Sequence, residues 1–157
     1  MIQSQSCKVV EVLQPTAVGA STTTADLECD CLGFDSAIII ISCGAMQAAL
    51  TTCSITEGDA TGAVTDAIAE LTVGNAKCVD VEGTAIALAA TDDNDCIVFH
   101  VDLRKRKRFL KFNSVTAGGG TSTHSVHAIL FGADVQSNST NAAMALASTG
   151  TALVATA

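Results

Sequence analysis

The side chains that could do chemistry in this 157-residue chain are three histidines, seven cysteines and sixteen carboxylates. A thiol nucleophile beside an imidazole base would be the most specific catalytic pair. Cys96 and His100 are four residues apart in an alternating segment, which puts them on one strand face but about 13 Å apart. His124 and His127 are separated by an odd number of residues, so a strand directs them to opposite faces. With no GxSxG, P-loop or HExxH motif, the sequence predicts a protein that is not an enzyme.

Metal-ligating patterns are incomplete in the same way. Cys29 and Cys31 are spaced CxC, and no second pair completes a zinc site. Asp92, Asp93 and Asp95 crowd one turn, but the glycine and the distal glutamate of a calcium loop are missing. We therefore expect no metal and no cofactor, and an odd number of reduced thiols that act as small core side chains.

A run of basic residues is the strongest signal in the sequence. The rest of the chain has two basic and sixteen acidic residues, a net charge of 2 − 16 = −14. Apolar residues alternate on both sides of the run and change phase across it, which predicts a β-hairpin with a cationic tip. The run contains six of the eight basic side chains: Arg104, Lys105, Arg106, Lys107, Arg108 and Lys111.

Two interpretations of the basic run stay open at this stage. A charge run at a turn is often only a solvated surface. The other interpretation is a partner-binding tip that docks on an acidic patch of another protein or of a neighbouring copy. Exposed ion pairs contribute only about 0 to 1 kcal/mol each, so six mutually repelling cations give the isolated fold little stability. We therefore assign the six residues as the candidate partner-binding site.

The other segments predict an all-β protein. One or two helical turns are expected over Val64–Leu71, where apolar residues fall at helical spacing, and weak strands over Val73–Val81 and Thr84–Ala90. Together these segments predict a two-sheet β-sandwich of jelly-roll type over residues 1–131. An extended C-terminal arm over residues 132–157 is expected to become ordered against neighbouring subunits. The clearer strands are Cys7–Leu13, Ser21–Cys31, a central strand through Ile38–Ile41 that is covered on both faces, Ala48–Ile55 and His124–Phe131.

Composition and charge limit the classes of molecule that are expected as partners. A net charge of −8 argues against nucleic acid as a specific partner, because the phosphate backbone requires many dispersed basic side chains. The longest apolar run, Ala37–Ile41, is too short to span a bilayer, and the first residues lack the pattern of a signal peptide. We expect no membrane partner and folding in a cytoplasm.

Three segments also carry a resemblance. They are LGFDSAIIIISCGAM (Leu32–Met46), SITEGDATGAVTDA (Ser54–Ala67) and VDLRKRKRFLKFNSVTAGGGT (Val101–Thr121). In this order they resemble the jelly-roll capsid cement or decoration proteins of tailed bacteriophages, with a Gly-Phe-Asp-Ser strand entry, an acidic Glu-Gly-Asp loop and a basic hairpin. Ala63 and Val64 depart from the pattern, since an aromatic residue often follows that acidic loop.

The resemblance implies a structural virion protein that binds the outside of a phage capsid shell and stabilises it. The major capsid protein would be its partner, and the protein would be a dimeric or trimeric homo-oligomer on the virion, assembled in the host cytoplasm. A tail or neck structural protein of similar fold remains an alternative. So does a carbohydrate-binding β-sandwich, although five phenylalanines without tryptophan or tyrosine are a poor platform for sugar.

Overall fold

The computed structural model describes residues 7–19, 28–117 and 119–132. Within them the chain forms eight strands and one 3₁₀ turn, Leu103–Lys105. The predicted arm, apart from Gly132, lies outside the described residues, as does most of the strand predicted over Ser21–Cys31. The strands are β1 (Cys7–Val18), β2 (Glu28–Asp30), β3 (Ser36–Met46), β4 (Leu50–Gly58), β5 (Asp66–Thr72), β6 (Cys96–Asp102), β7 (Phe109–Thr116) and β8 (Ser122–Phe131).

The strands form two four-stranded antiparallel sheets with the orders β1-β8-β3-β6 and β2-β7-β4-β5. Strands whose numbers add to nine are paired: β1 with β8, β2 with β7, β3 with β6, and β4 with β5. Rolling one long hairpin until β8 also pairs with β3, and β7 with β4, produces this arrangement. The chain is therefore an eight-stranded jelly roll, and the predicted fold class is confirmed.

The core lies between the two sheets and is built from every second residue of the strands. In β3 the inward side chains, among them Ile39 and Ile41, are buried, and they face Ile55 and Phe112 of the other sheet. All seven cysteines are free thiols. The prediction that they act as core side chains holds for the five that are buried: Cys29, Cys31, Cys43, Cys53 and Cys78.

The predicted hairpin is wrong. Its two strands exist as β6 and β7, but β6 pairs with β3, whereas β7 pairs with β2 and β4 in the other sheet. Alternation identifies a strand without identifying its hydrogen-bonding partner, so two strands separated by a short polar segment are compatible with a hairpin or with a crossover between sheets. Here residues 103–108 cross from one sheet to the other, and we call them the connector.

The predicted helical turns are also wrong, since this stretch forms β5. Between the pairs Ser54–Thr72 and Thr56–Ala67, β4 advances by two residues and β5 by five, so β5 bulges. A bulge breaks the two-residue period. It leaves two buried side chains three residues apart, Ile68 and Leu71, and this spacing imitates a helix.

The chain between β5 and β6 forms little regular structure. The two weak strands predicted there reduce to one isolated bridge, between Val79 and Ala85. β3 does lie between two other strands, as predicted for a central strand. Within the described residues, however, only one of its faces is fully covered, because Ile38 and Ile40 point away from the core and are half-buried.

Candidate functional site

The connector begins with a capped turn. The Asp102 side chain accepts a hydrogen bond from the Arg104 backbone N–H at 3.2 Å, which is the usual role of aspartate at the start of a helical turn. Leu103 is 6% exposed and anchors the turn in the core. The turn closes where the Arg106 N–H donates to the Leu103 carbonyl at 3.0 Å. An apolar anchor flanked by charged residues thus directs the next two side chains, Arg104 and Lys105, outward.

Backbone hydrogen bonds tie the connector to the neighbouring loops. The Leu103 N–H donates to the Asp35 carbonyl at 2.9 Å, and the Arg108 carbonyl accepts from the Cys31 N–H at 2.9 Å. The Lys107 N–H donates to the Glu57 carboxylate at 3.0 Å. The connector is therefore bonded to the β2–β3 loop and to β4, at the end of the molecule where the sequence predicted a projecting tip.

Three basic side chains of the connector are paired with carboxylates that are distant in the sequence. Arg106 lies 3.8 Å from Glu57 and 4.0 Å from Glu70. Lys107 lies 2.5 Å from Asp66 and 3.6 Å from Asp59. These two cations join the end of β4, the β4–β5 loop and β5 to the connector.

Arg108 makes the most specific of these pairs. Its Nε and Nη2 donate to the two oxygens of Asp30 at 2.9 and 2.7 Å, a bidentate arrangement. The guanidinium carbon also lies 4.7 Å from the centre of the Phe109 ring, within the range of a cation–π contact. The hydrogen bonds from Arg108 lower the pKa of the Asp30 carboxyl and raise the pKa of Arg108.

Arg104 and Lys105 are the connector cations that project into solvent. Their side chains are 70% and 82% exposed. Both lie beside Asp102, Arg104 at 2.9 Å and Lys105 at 4.0 Å, and the hydrogen bond from Arg104 lowers the pKa of Asp102. Lys111 lies apart from the connector in β7, where it is half-buried and pairs in register with Glu28.

The six residues assigned from the sequence therefore do not form one cationic surface. Arg106, Lys107 and Arg108 join elements of the fold, and Lys111 belongs to a sheet. We call the remaining pair, Arg104 and Lys105, the cationic corner. It is the part of the predicted site that is placed to reach another molecule.

Negative charge gathers at the opposite end of the sandwich. The β5–β6 loop, residues 73–95, has five acidic residues and one basic residue, Lys77, for a net charge of −4. Much of this loop is exposed, including Val81 at the apex of a turn. The acidic residues are Asp80, Glu82, Asp92, Asp93 and Asp95. The connector end has no matching excess of positive charge, because its five cations lie beside six carboxylates, so the charge separation predicted from the sequence is reduced to the two projecting side chains Arg104 and Lys105. The six carboxylates are those of Asp30, Glu57, Asp59, Asp66, Glu70 and Asp102.

The outer surfaces of the two sheets differ in character. The outer surface of the sheet β2-β7-β4-β5 is polar: Asn113 donates to Thr56 at 3.0 Å, and Lys111 lies between Thr56 and Glu28. The sheet β1-β8-β3-β6 has outward apolar side chains in neighbouring register positions instead. We call this second surface the apolar face. It comprises Val9, Ile38, Ile40, Val98, Ile129 and Phe131.

His124 is a core residue for which the sequence predicted no function. It is 1% exposed, shares a 2.8 Å hydrogen bond with the Ser114 hydroxyl through Nε2, and packs edge-on against Phe112 with the ring centres 5.9 Å apart. Burial lowers its pKa. Its place among the inward residues of β8, two positions before Val126, was the available signal. As predicted, it does not share a face with His127.

Among the described residues, no group of three or more histidine, cysteine, aspartate and glutamate side chains is placed to hold a metal ion. The same part of the chain contains no helix with the length and apolar character needed to cross a bilayer. A scan of the chain against models of known protein families finds no match, and neither does a search of curated proteins.

Proposed function

We propose that this protein is a structural virion protein that binds the outside of a phage capsid shell, through the major capsid protein, and stabilises the shell. The observation that carries the proposal is the cationic corner, because Arg104 and Lys105 project into solvent from an otherwise acidic molecule. The jelly-roll topology and the sequence resemblance to decoration proteins support it. The resemblance also supports a homo-oligomer of two or three copies.

The contact would be electrostatic and repeated. Arg104 donates from Nε and Nη2 to the two oxygens of Asp102, at 2.9 and 3.2 Å, which fixes the orientation of its guanidinium. An acidic patch on the shell would then accept from the outward N–H groups of this guanidinium and from the Lys105 ammonium. One exposed pair contributes only about 0 to 1 kcal/mol. An oligomer, however, places two or three such corners on the lattice at once, and linked sites bind far more tightly than single ones.

The carbohydrate-binding alternative has less support. Stacking on a sugar ring needs an exposed aromatic face. All five phenylalanines lie in the described residues, and each is buried or half-buried: Phe34, Phe99, Phe109, Phe112 and Phe131.

Two matched double variants test the proposal. Arg104→Gln with Lys105→Gln removes the two most exposed cations of the connector, and Arg106→Gln with Lys107→Gln removes two that are paired with carboxylates distant in the sequence. Both remove the same charge. Binding to capsids of the encoding phage that have been stripped of this protein would be measured from low to high salt, together with the free energy of unfolding in urea.

We expect the first variant to unfold like the wild type but to occupy at least tenfold fewer capsid sites at low salt, with a weaker salt dependence. The second variant should lose stability and, once folded, still bind. Wild-type occupancy by the first variant would refute the assignment of the cationic corner.

A further inference from the structure

The apolar face is an unusual surface for a folded chain to leave exposed. Val9 is 63% exposed and Val98 is 46% exposed, although both belong to strands of the sandwich. Between these edge strands lie Ile38, Ile40 and Ile129, all half-buried, with His100 beside Ile38 and His127 beside Ile40. Apolar side chains that adjoin one another in this way mark a surface that another segment or molecule covers.

The chain continues from one end of this face, between β1 and β3. Phe131, the last residue of β8, pairs with Ser36 and Cys7 on either side, so β8 ends inside the sheet and not at its edge. Gly132 follows with φ of 69°, a left-handed conformation that suits a change of direction. A Cβ at Gly132 would lie 2.9 Å from the Cβ of Asp35, so Gly132 is packed closely against the β2–β3 loop. The backbone thus departs from strand geometry at Gly132, at the end of the sheet that presents the apolar face.

Nearly all of the residues that follow are uncharged, like an apolar surface, and they are numerous enough to extend along the whole apolar face. Residues 135–157 contain no aspartate, glutamate, lysine or arginine. An extended chain advances about 3.3 Å per residue, so these residues can span roughly 75 Å, against a face about 20 Å long. Three passes along the face are therefore possible. The larger apolar side chains of the segment are Val135, Met144, Leu146, Leu153 and Val154.

We propose that residues 135–157 fold back and cover the apolar face of their own copy. The segment is uncharged and is attached at one end of the face, which raises its effective concentration there, whereas a second copy would have to bind from solution. The inference does not depend on the proposed function, because it concerns the isolated chain.

Two cysteines on the same side of the sheet report whether the face is covered. Cys7 and Cys96 both point outward from it, at opposite corners, and Cys96 is exposed in the described residues. The test compares their rates of alkylation by N-ethylmaleimide in three full-length proteins: the wild type, a variant with Met144→Asp, Leu146→Asp and Leu153→Asp, and a control with Ser137→Asp, Ser148→Asp and Thr151→Asp. Slow alkylation of the buried Cys53 confirms that each variant is folded.

We expect both outer thiols to react about tenfold faster in the apolar-to-aspartate variant, which corresponds to weakening the closed state by about 1.4 kcal/mol. The control adds the same charge at polar positions and should react like the wild type. Equal rates in all three proteins would overturn the inference. So would wild-type rates that rise on dilution, since these would show that a second copy covers the face.

Methyl NMR distinguishes a segment that covers the face of its own chain from a segment that covers the face of a neighbouring chain. Contacts between the Met144 methyl group and the Ile38 and Ile40 methyl groups should appear when one chain has both labels. They should be absent in a mixture of chains that each have one label. Contacts seen only in the mixture would mean that a neighbour's segment covers the face, and would refute the proposal for the same copy.

Discussion

Glu57 should be the carboxylate on which the connector depends most. Its side chain is 17% exposed, and it accepts the Lys107 backbone N–H at 3.0 Å while it lies 3.8 Å from the Arg106 guanidinium. Replacing Glu57 by alanine removes both interactions and leaves a partly buried N–H group without its acceptor. Replacement by glutamine keeps an acceptor and removes only the charge.

The expected magnitudes follow from these contacts. A hydrogen bond to a charged group contributes about 1.5 to 3 kcal/mol, so Glu57→Ala should lower the free energy of unfolding by about 2 to 3 kcal/mol. For a domain of this size that corresponds to a fall in Tm of roughly 4 to 12 °C. Glu57→Gln should cost about 1 kcal/mol, mainly the lost attraction to Arg106.

Urea unfolding of the wild type and the two variants measures these differences, and Asp59→Ala provides the control. Asp59 is 74% exposed and lies 3.6 Å from the Lys107 ammonium, so the loss of this ion pair should cost no more than about 1 kcal/mol. At 1 M salt, where screening acts over about 3 Å, Glu57→Gln should approach the wild type while Glu57→Ala remains destabilised. Equal effects of Glu57→Ala and Asp59→Ala would refute the conclusion that the connector is held by the fold.

Three further outcomes are expected. Burial lowers the pKa of His124, so the folded state binds a proton at this side chain less readily than the unfolded state does. The free energy of unfolding should therefore keep its full value above the unfolded pKa of about 6.5 and fall as the pH falls below it. The slope of this free energy against pH between about 7.5 and 5 should be smaller in His124→Asn. Phe112→Ala should lower the free energy of unfolding in urea by about 3 to 5 kcal/mol, because this ring is 1% exposed between the sheets, whereas Val81→Ala at a fully exposed position should change it by no more than about 0.5 kcal/mol. Gly58→Ala should reduce the yield of folded protein, measured by circular dichroism, because a Cβ there would collide with the backbone of Ala63 and Val64.

The fold class could be predicted because it depends on local periodicity. Alternating burial along β6, and at Leu110 and Phe112 of β7, coincides with the alternating apolar residues of the sequence. Pairing between sheets depends on contacts across long stretches of chain, which periodicity does not encode. This is why both strands flanking the connector were predicted while their partners were not.

The candidate site was predicted only in part, for a related reason. The basic run was visible, but its partners Asp30, Glu57 and Asp66 are distant in sequence and meet it only after the roll closes. Similarly, four successive isoleucines in β3 predicted a strand covered on both faces, and the structure buries Ile39 and Ile41 but leaves Ile38 and Ile40 half-buried. The sequence shows that both faces of β3 are apolar. Only the three-dimensional arrangement shows which of the two faces packs against the other sheet.

The proposed function is tested most directly by a cryo-electron microscopy reconstruction of virus particles purified from the natural source of this chain. The proposal predicts density for the jelly roll on the outside of the shell, in two or three copies per site, with Arg104 and Lys105 facing carboxylates of the major capsid protein. A shell without this density, or a jelly roll bound with the cationic corner directed away from the shell, would contradict it.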